Sequence, residues 1–218
     1  PGLVDFAWFS QAVRAVDFAS VRFEEGKTPL HEAVERKQRG FVEFILGRGV
    51  MVNARNGAGS APLHEAVRAG WLEGAELLLK NKADPNARDG FDNTPLHIAL
   101  PEANRGAGVE LLLAAGADPS LKDRNGNTPL HVAVLLSYPT SLIQRLLTAG
   151  SPVNAANAAG DTPLILSVRT GRNEYIPPLL EKGADIFLVN GRGECALSLA
   201  LAQASAGAPV TTPAGKTA

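Results

Sequence analysis

APLHEAVRAGWLEGAELLLKNKADPNARDGFDN, residues 61–93, is one period of a repeat that runs through most of the chain. It opens on Ala61-Pro62-Leu63-His64, and Thr-Pro-Leu-His opens the matching stretches at Thr28, Thr94 and Thr128. Thr162-Pro163-Leu164-Ile165 and Cys195-Ala196-Leu197-Ser198 are more distant versions, and successive starts lie 33, 33, 34, 34 and 33 residues apart. Self-similarity at such a period marks stacked supersecondary units, none of which can bury its apolar face alone.

Each part of the period has a local reason. Threonine before proline suits a helix N-cap, where its hydroxyl accepts a bond from an orphaned amide. Proline then occupies the first helical position, where its missing N–H is not needed. Leu63, Ala66 and Val67 form an apolar stripe at helical spacing. A second stripe, Leu72, Ala75, Leu78 and Leu79, has Glu73, Glu76 and Lys80 turned away from it. Gly49, Gly116, Gly150 and Gly183 follow the second helices, where a left-handed closing residue is wanted. Turns rich in Asn, Asp and Gly then lead onward at Asn56–Gly59, Asp89–Asp92, Asp123–Gly126, Asn157–Gly160 and Asn190–Gly193.

Motif and period together resemble the ankyrin repeat over roughly residues 16–204. The resemblance implies an all-α solenoid of stacked helix–turn–helix units joined by short β-hairpin loops. It places one domain over residues 1–205, with a degenerate N-terminal cap at 1–22. Repeats start near 28, 61, 94, 128 and 162, and a partial repeat starts at 195. Phe6, Phe9, Val13 and Val16 carry the helical spacing of the cap, and the last repeat has a first helix over about 196–204. Residues 206–218, poor in large apolar side chains, read as a disordered tail or linker.

Departures from the pattern predict local adjustments. Lys82 stands where the other repeats carry glycine, and Ala61 lacks a capping hydroxyl. Repeats three and four each hold one extra residue, placed near Pro101–Gly108 and Ser137–Ser141. Pro177-Pro178 falls inside the expected second helix of repeat five, so that helix starts late or kinks.

Nothing in the sequence assembles a catalytic or cofactor site. The four histidines, His31, His64, His97 and His131, share one repeat position. Neighbours are then about 10 Å apart, too far to share a metal ion, and the resemblance gives them a bridging structural role. Cys195, the one cysteine, stands at a capping position with no histidine near it in sequence. Gly26-Lys27-Thr28 and Gly215-Lys216-Thr217 lack the upstream glycine of a phosphate loop, at Val21 and Val210. No cofactor and no metal is expected. A net charge of −1 argues against nucleic acid, and no apolar run is long enough to span a bilayer.

The resemblance implies binding of another protein, or an extended peptide, through a concave face of hairpin tips and first helices, by a monomeric chain. Arg22, Arg55, Arg88 and Lys122 fall on one column before successive tips, giving way to Ala156 and Val189. Such a ladder suits an acidic segment, unless Glu32, Glu65, Asp89 and Asp123 neutralise it locally. Phe91 and Arg124 stand at tips, and Arg68, Leu135 and Arg169 occupy one position of the first helices. Leu136 and Tyr138 follow Leu135, so repeats three to five offer an apolar anchor point. Ile98, Val132 and Leu166 belong either to that strip or to the packing between repeats. Trp71 is either an exposed anchor or packed beneath a hairpin. The functional reading is a non-catalytic interaction module; the alternative is a regulatory or targeting arm of a larger protein.

Overall fold

The structure, a computed structural model, describes residues 20–99 and 105–207. The expected N-terminal cap (through residue 19), most of the tail and part of the loop assigned to repeat three's extra residue lie outside the described residues.

Among the described residues there are eleven α-helices. They group into two compact units, Pro1–Ala117 and Asp118–Ala218. In the first unit α1 (Pro29–Glu35) pairs with α2 (Arg39–Leu46), α3 (Pro62–Arg68) with α4 (Leu72–Lys80), and α5 (Pro95–Ala99) with α6 (Arg105–Ala114). In the second, α7 (Pro129–Leu135) pairs with α8 (Thr140–Thr148) and α9 (Pro163–Arg169) with α10 (Ile176–Glu181); α11 (Ala196–Gly207) lies against α9. Within each unit the first helices form one layer and the second helices another.

The starts of the first helices follow from the capping chemistry. Thr28 and Thr162 accept from the amides of His31 and Ile165 at 3.4 and 3.3 Å. Ala61 has no hydroxyl to offer, yet its own N–H still donates to His64 Nδ1 at 3.1 Å, so half of the reciprocal cap survives. The tetrapeptide leucines Leu30, Leu63, Leu96, Leu130 and Leu164 are at most 2% exposed. Each contributes on the order of 2 kcal/mol by leaving water. Val42, Ile45, Leu78, Val109, Leu112, Ile143, Leu146 and Leu179 face them from the second helices.

The departures resolve in physical terms. Lys82 has φ +66, in register with the left-handed Gly49, Gly116, Gly150 and Gly183. Four residues, 136–139, separate α7 from α8, against three (36–38 and 69–71) in the first two repeats. Pro177 and Pro178 fall in the first turn of α10, which begins only after a 3-10 turn at Asn173–Tyr175. One expectation needs correction. α11 runs to Gly207, past the predicted end. The hairpins are almost strandless: among the described residues the sole bridge is Val189 with Cys195. The other tips close through two backbone bonds each, such as Asn56 N–H to Ser60 O and Gly59 N–H to Asn56 O, both at 2.9 Å, and a side chain takes further amides.

Candidate protein-binding surface

That side chain is the Asn or Asp which begins each tip. Asn56 Oδ1 accepts from the amides of Ala58 and Ser60, both at 3.0 Å, and Asp89 Oδ1 from Phe91 and Asn93 at 2.8 and 2.9 Å. Asp123, Asn157 and Asn190 repeat the arrangement. Tips within a unit are then joined rung to rung. Gly57 and Gly90 donate to the carbonyls of Glu25 and Ala58 at 2.6 and 2.9 Å; Ala158 and Gly191 donate to those of Asn125 and Ala159, both at 2.9 Å. The composition of the tips is legible in the sequence, but not this organising oxygen.

In the first unit the column before the tips is cationic. Arg22 and Arg55 are exposed and Arg88 is half-buried. Several acids near the column are engaged with other groups. Glu32 pairs with Arg36, and Glu65 with Arg68 at 2.7 Å. Asp89 holds its own turn, and Lys27 bridges Glu25 and Glu35 at 3.2 and 3.0 Å, which raises the lysine's pKa. Arg88 lies 3.9 Å from Asp92. Arg55 has no hydrogen bond or ion pair within the described residues. Phe91 crowns its tip, 61% exposed, and Arg68 is exposed but tied to Glu65. Ile98 is half-buried. Trp71 is a packing residue, 9% exposed; it covers Gly74, where a Cβ would meet the indole at 2.0 Å.

In the second unit Lys122 is exposed, and its Nζ donates to Ala156 O at 2.7 Å, reaching to the next tip. Arg124 is exposed. Leu135 and Leu136 are 44% and 52% exposed at the end of α7, whereas Tyr138 is buried and its carbonyl accepts from the Tyr175 hydroxyl. Val132 is half-buried and Leu166 buried, so Leu166 belongs to the packing. Arg169 is drawn into an ion pair with Asp161, which also accepts from Asn190 Nδ2 at 2.8 Å. Burial opposes ionisation of Asp161, but the bonds from Arg169 and Asn190 prevail and hold its carboxyl below the usual range. Sequence spacing alone gave no reason to join Arg169 to Asp161.

His31, His64 and His131 each reach from a first helix to the tip that follows it. His31, His97 and His131 each take two convergent donors on Nδ1, the amide and hydroxyl of the capping threonine. That leaves the proton on Nε2, which in His31 donates to Ser60 O at 2.9 Å and in His131 to Asp161 O at 3.0 Å. His64 Nε2 reaches Ala87 O and Asn93 O at 3.0 and 3.2 Å. Burial lowers the pKa of His31, His64 and His131, the last to about 4. Cys195 acts as an N-cap: its Sγ accepts from Ser198 N–H at 3.4 Å while Ser198 Oγ accepts from Cys195 N–H at 3.0 Å. Among the described residues no group of three or more His, Cys, Asp or Glu side chains is placed to hold a metal ion. No helix among them is long and apolar enough to cross a membrane.

Helix pairs repeated in register, with varied side chains on their tips, define a repeat-built interaction module. The family model for ankyrin repeats (3 copies) matches residues 9–89, 53–123 and 96–190, and the chain belongs to the ankyrin-repeat family. Ankyrin repeats are in general protein–protein interaction modules. Among curated proteins, none matches the chain.

Proposed function

We propose that this chain is a non-catalytic module that binds an acidic segment of a protein partner along the tips of its first unit. One observation carries the reading: Glu32, Glu65 and Asp89 are bonded to other groups, so none of these carboxylates meets the exposed Arg55. An extended acidic chain would supply Arg55 with a partner, with Phe91 beside it as an apolar anchor. Leu135 and Leu136 offer a separate apolar contact in the second unit, exposed at the end of α7. Arg169 is engaged with Asp161, so the reading does not depend on it.

The test is affinity capture with mass spectrometry, comparing the native chain with the Arg55→Glu/Arg88→Glu double variant at matched melting temperature. Partners captured by the native chain and lost by the variant support the reading. A partner set unchanged by the double reversal sinks it.

A further inference from the structure

In the first unit the first helices pack directly on one another, α1 on α3 and α3 on α5. Their tips touch as well, through Gly57 N–H to Glu25 O at 2.6 Å and Gly90 N–H to Ala58 O at 2.9 Å. Arg22, Arg55 and Arg88 hold one place relative to those tips, each just before the residue that opens it, Phe23, Asn56 or Asp89. One step along the cationic column is therefore one helix-packing distance, about 10 Å. Arg22 and Arg55 are exposed, and the Arg88 side chain is 40% exposed. Arg22 donates to Val21 O at 2.8 Å and Arg88 lies near Asp92. A guanidinium carries five donors, so these contacts are compatible with a carboxylate arriving from outside.

The step length discriminates among backbone conformations of an acidic occupant. A β-strand returns to one face at every second or fourth residue, about 7 or 13 Å apart, and misses the column both ways. A polyproline II helix has three residues per turn at about 3.1 Å each, so one face recurs every ~9 Å. The flexible stems of arginine absorb the remainder over two steps. An α-helix also returns to one face near 10 Å, at every seventh residue. However, about fifteen residues of isolated helix are marginal in water unless an apolar face is buried, and this column is cationic. Polyproline II needs no internal hydrogen bonds and is populated before binding, so less order is lost. Exposed aromatic rings also suit it, since they seat proline. Phe23, next to Arg22, is 48% exposed, and Phe91, on the tip after Arg88, is 61% exposed.

We propose that the first unit binds a polyproline II segment of its partner, with Asp or Glu at i, i+3 and i+6 and proline between them. The three acids meet Arg22, Arg55 and Arg88 in turn, and the prolines lie toward Phe23 and Phe91. This rests on the acidic-segment reading above and adds to it the conformation and the spacing by which the segment is selected.

The probes are fluorescein-labelled peptides of about fifteen residues, each with three Glu and therefore one charge. In three of them, equally rich in proline, the Glu residues recur at every second, third or fourth position. In the fourth they recur at every seventh position of an alanine-rich helix. Fluorescence anisotropy is read with the full native chain at low ionic strength, where exposed charges are least screened. The every-third peptide should bind about tenfold more tightly than the other three. Arg55→Glu and, separately, Arg22→Glu should each remove that preference. The native-chain comparison stands even if a variant alters the melting curve. Equal binding of all four peptides, weakened alike by Arg55→Glu/Arg88→Glu, overturns the spacing while leaving the acidic-segment reading in place. Preference for the every-second, every-fourth or helical peptide overturns it too. If no acidic peptide binds, the acidic-segment reading falls and the spacing with it.

Discussion

The two units present different surfaces on one repeated framework. Residues 20–117 carry Arg22, Arg55 and Arg88 before their tips, and Glu32, Glu65 and Ile98 after the histidines. In residues 118–207 the same positions run Lys122, Ala156 and Val189, then Val132, Leu166 and Leu199. Buried positions change far less, since Leu30, Leu63, Leu130 and Leu164 are almost wholly enclosed in both. The framework therefore constrains what the repeats bury and leaves free what they show, which is why fold alone does not name a partner.

The largest expected effect tests the bridging histidines that hold each unit. Their folded-state pKa lies below the ordinary 6.5, to about 4 in His131, chiefly because burial disfavours the charged ring. Their contribution is therefore complete above pH 6.5 and is lost as pH falls toward 4, where unfolded chains take up protons that the native state refuses. For His131 alone the loss approaches roughly 3 kcal/mol at the acid end. Urea unfolding at a series of pH values should show this slope, with His31 and His64 adding to it in the first unit. The charged ring would need a proton on Nδ1, which faces the threonine amide. A stability flat between pH 7 and 4.5 would remove the bridge from the account.

Next in size is the stacking of tips. A Cβ at Gly90 would meet the Ala58 carbonyl oxygen at 2.6 Å, whereas at Gly191 the Ala159 oxygen lies at 3.0 Å. Gly90→Ala should lower stability by about 2 kcal/mol and Gly191→Ala by less, since a rung must open in the first case and only shift in the second. Equal melting temperatures for the two variants would show that tips in both units give way alike. On the binding side, Leu135→Asp should weaken a partner held at the end of α7 by about tenfold without unfolding, because Leu135 is 44% exposed. A collapsed melting curve would instead move Leu135 into the core.

Most of the framework was legible because it is periodic. The Thr-Pro-Leu-His starts gave the first helices, and the closing glycine column gave the ends of the second. What escaped was relational. The pairing of Arg169 with Asp161 spans eight residues, and its counterpart in the first repeat, Lys27 with Glu35, carries the charges the other way round, so no shared residue pattern announced it. A second left-handed column, between the helices, holds Lys37, Gly70, Ser137 and Gly171. Aligning Gly70 with Gly171 could have revealed it, but lysine and serine at two of its positions hid the pattern. Leu197 and Leu201 of α11 were hidden differently: they look like core in sequence, yet they are 39% and 61% exposed.

The smallest expected effect concerns Lys82, and it sharpens the comparison at the level of one backbone angle. The first unit closes α4 with lysine at φ +66, while the second closes α8 and α10 with Gly150 and Gly183 at φ +92 and +84. No heavy atom lies within 4 Å of a Cβ built on either of those glycines, so side-chain crowding does not select the residue there. The penalty at Lys82 is then one of the backbone alone, about 1 kcal/mol for a side chain held left-handed. Glycine relieves that strain but gives the unfolded chain more freedom, which offsets part of the gain. Lys82→Gly should therefore raise stability by about 0.5 kcal/mol, read as a shift of the urea midpoint at unchanged slope. An unchanged or lower midpoint would mean that the lysine stem contributes packing, through its methylenes, that the angle does not reveal.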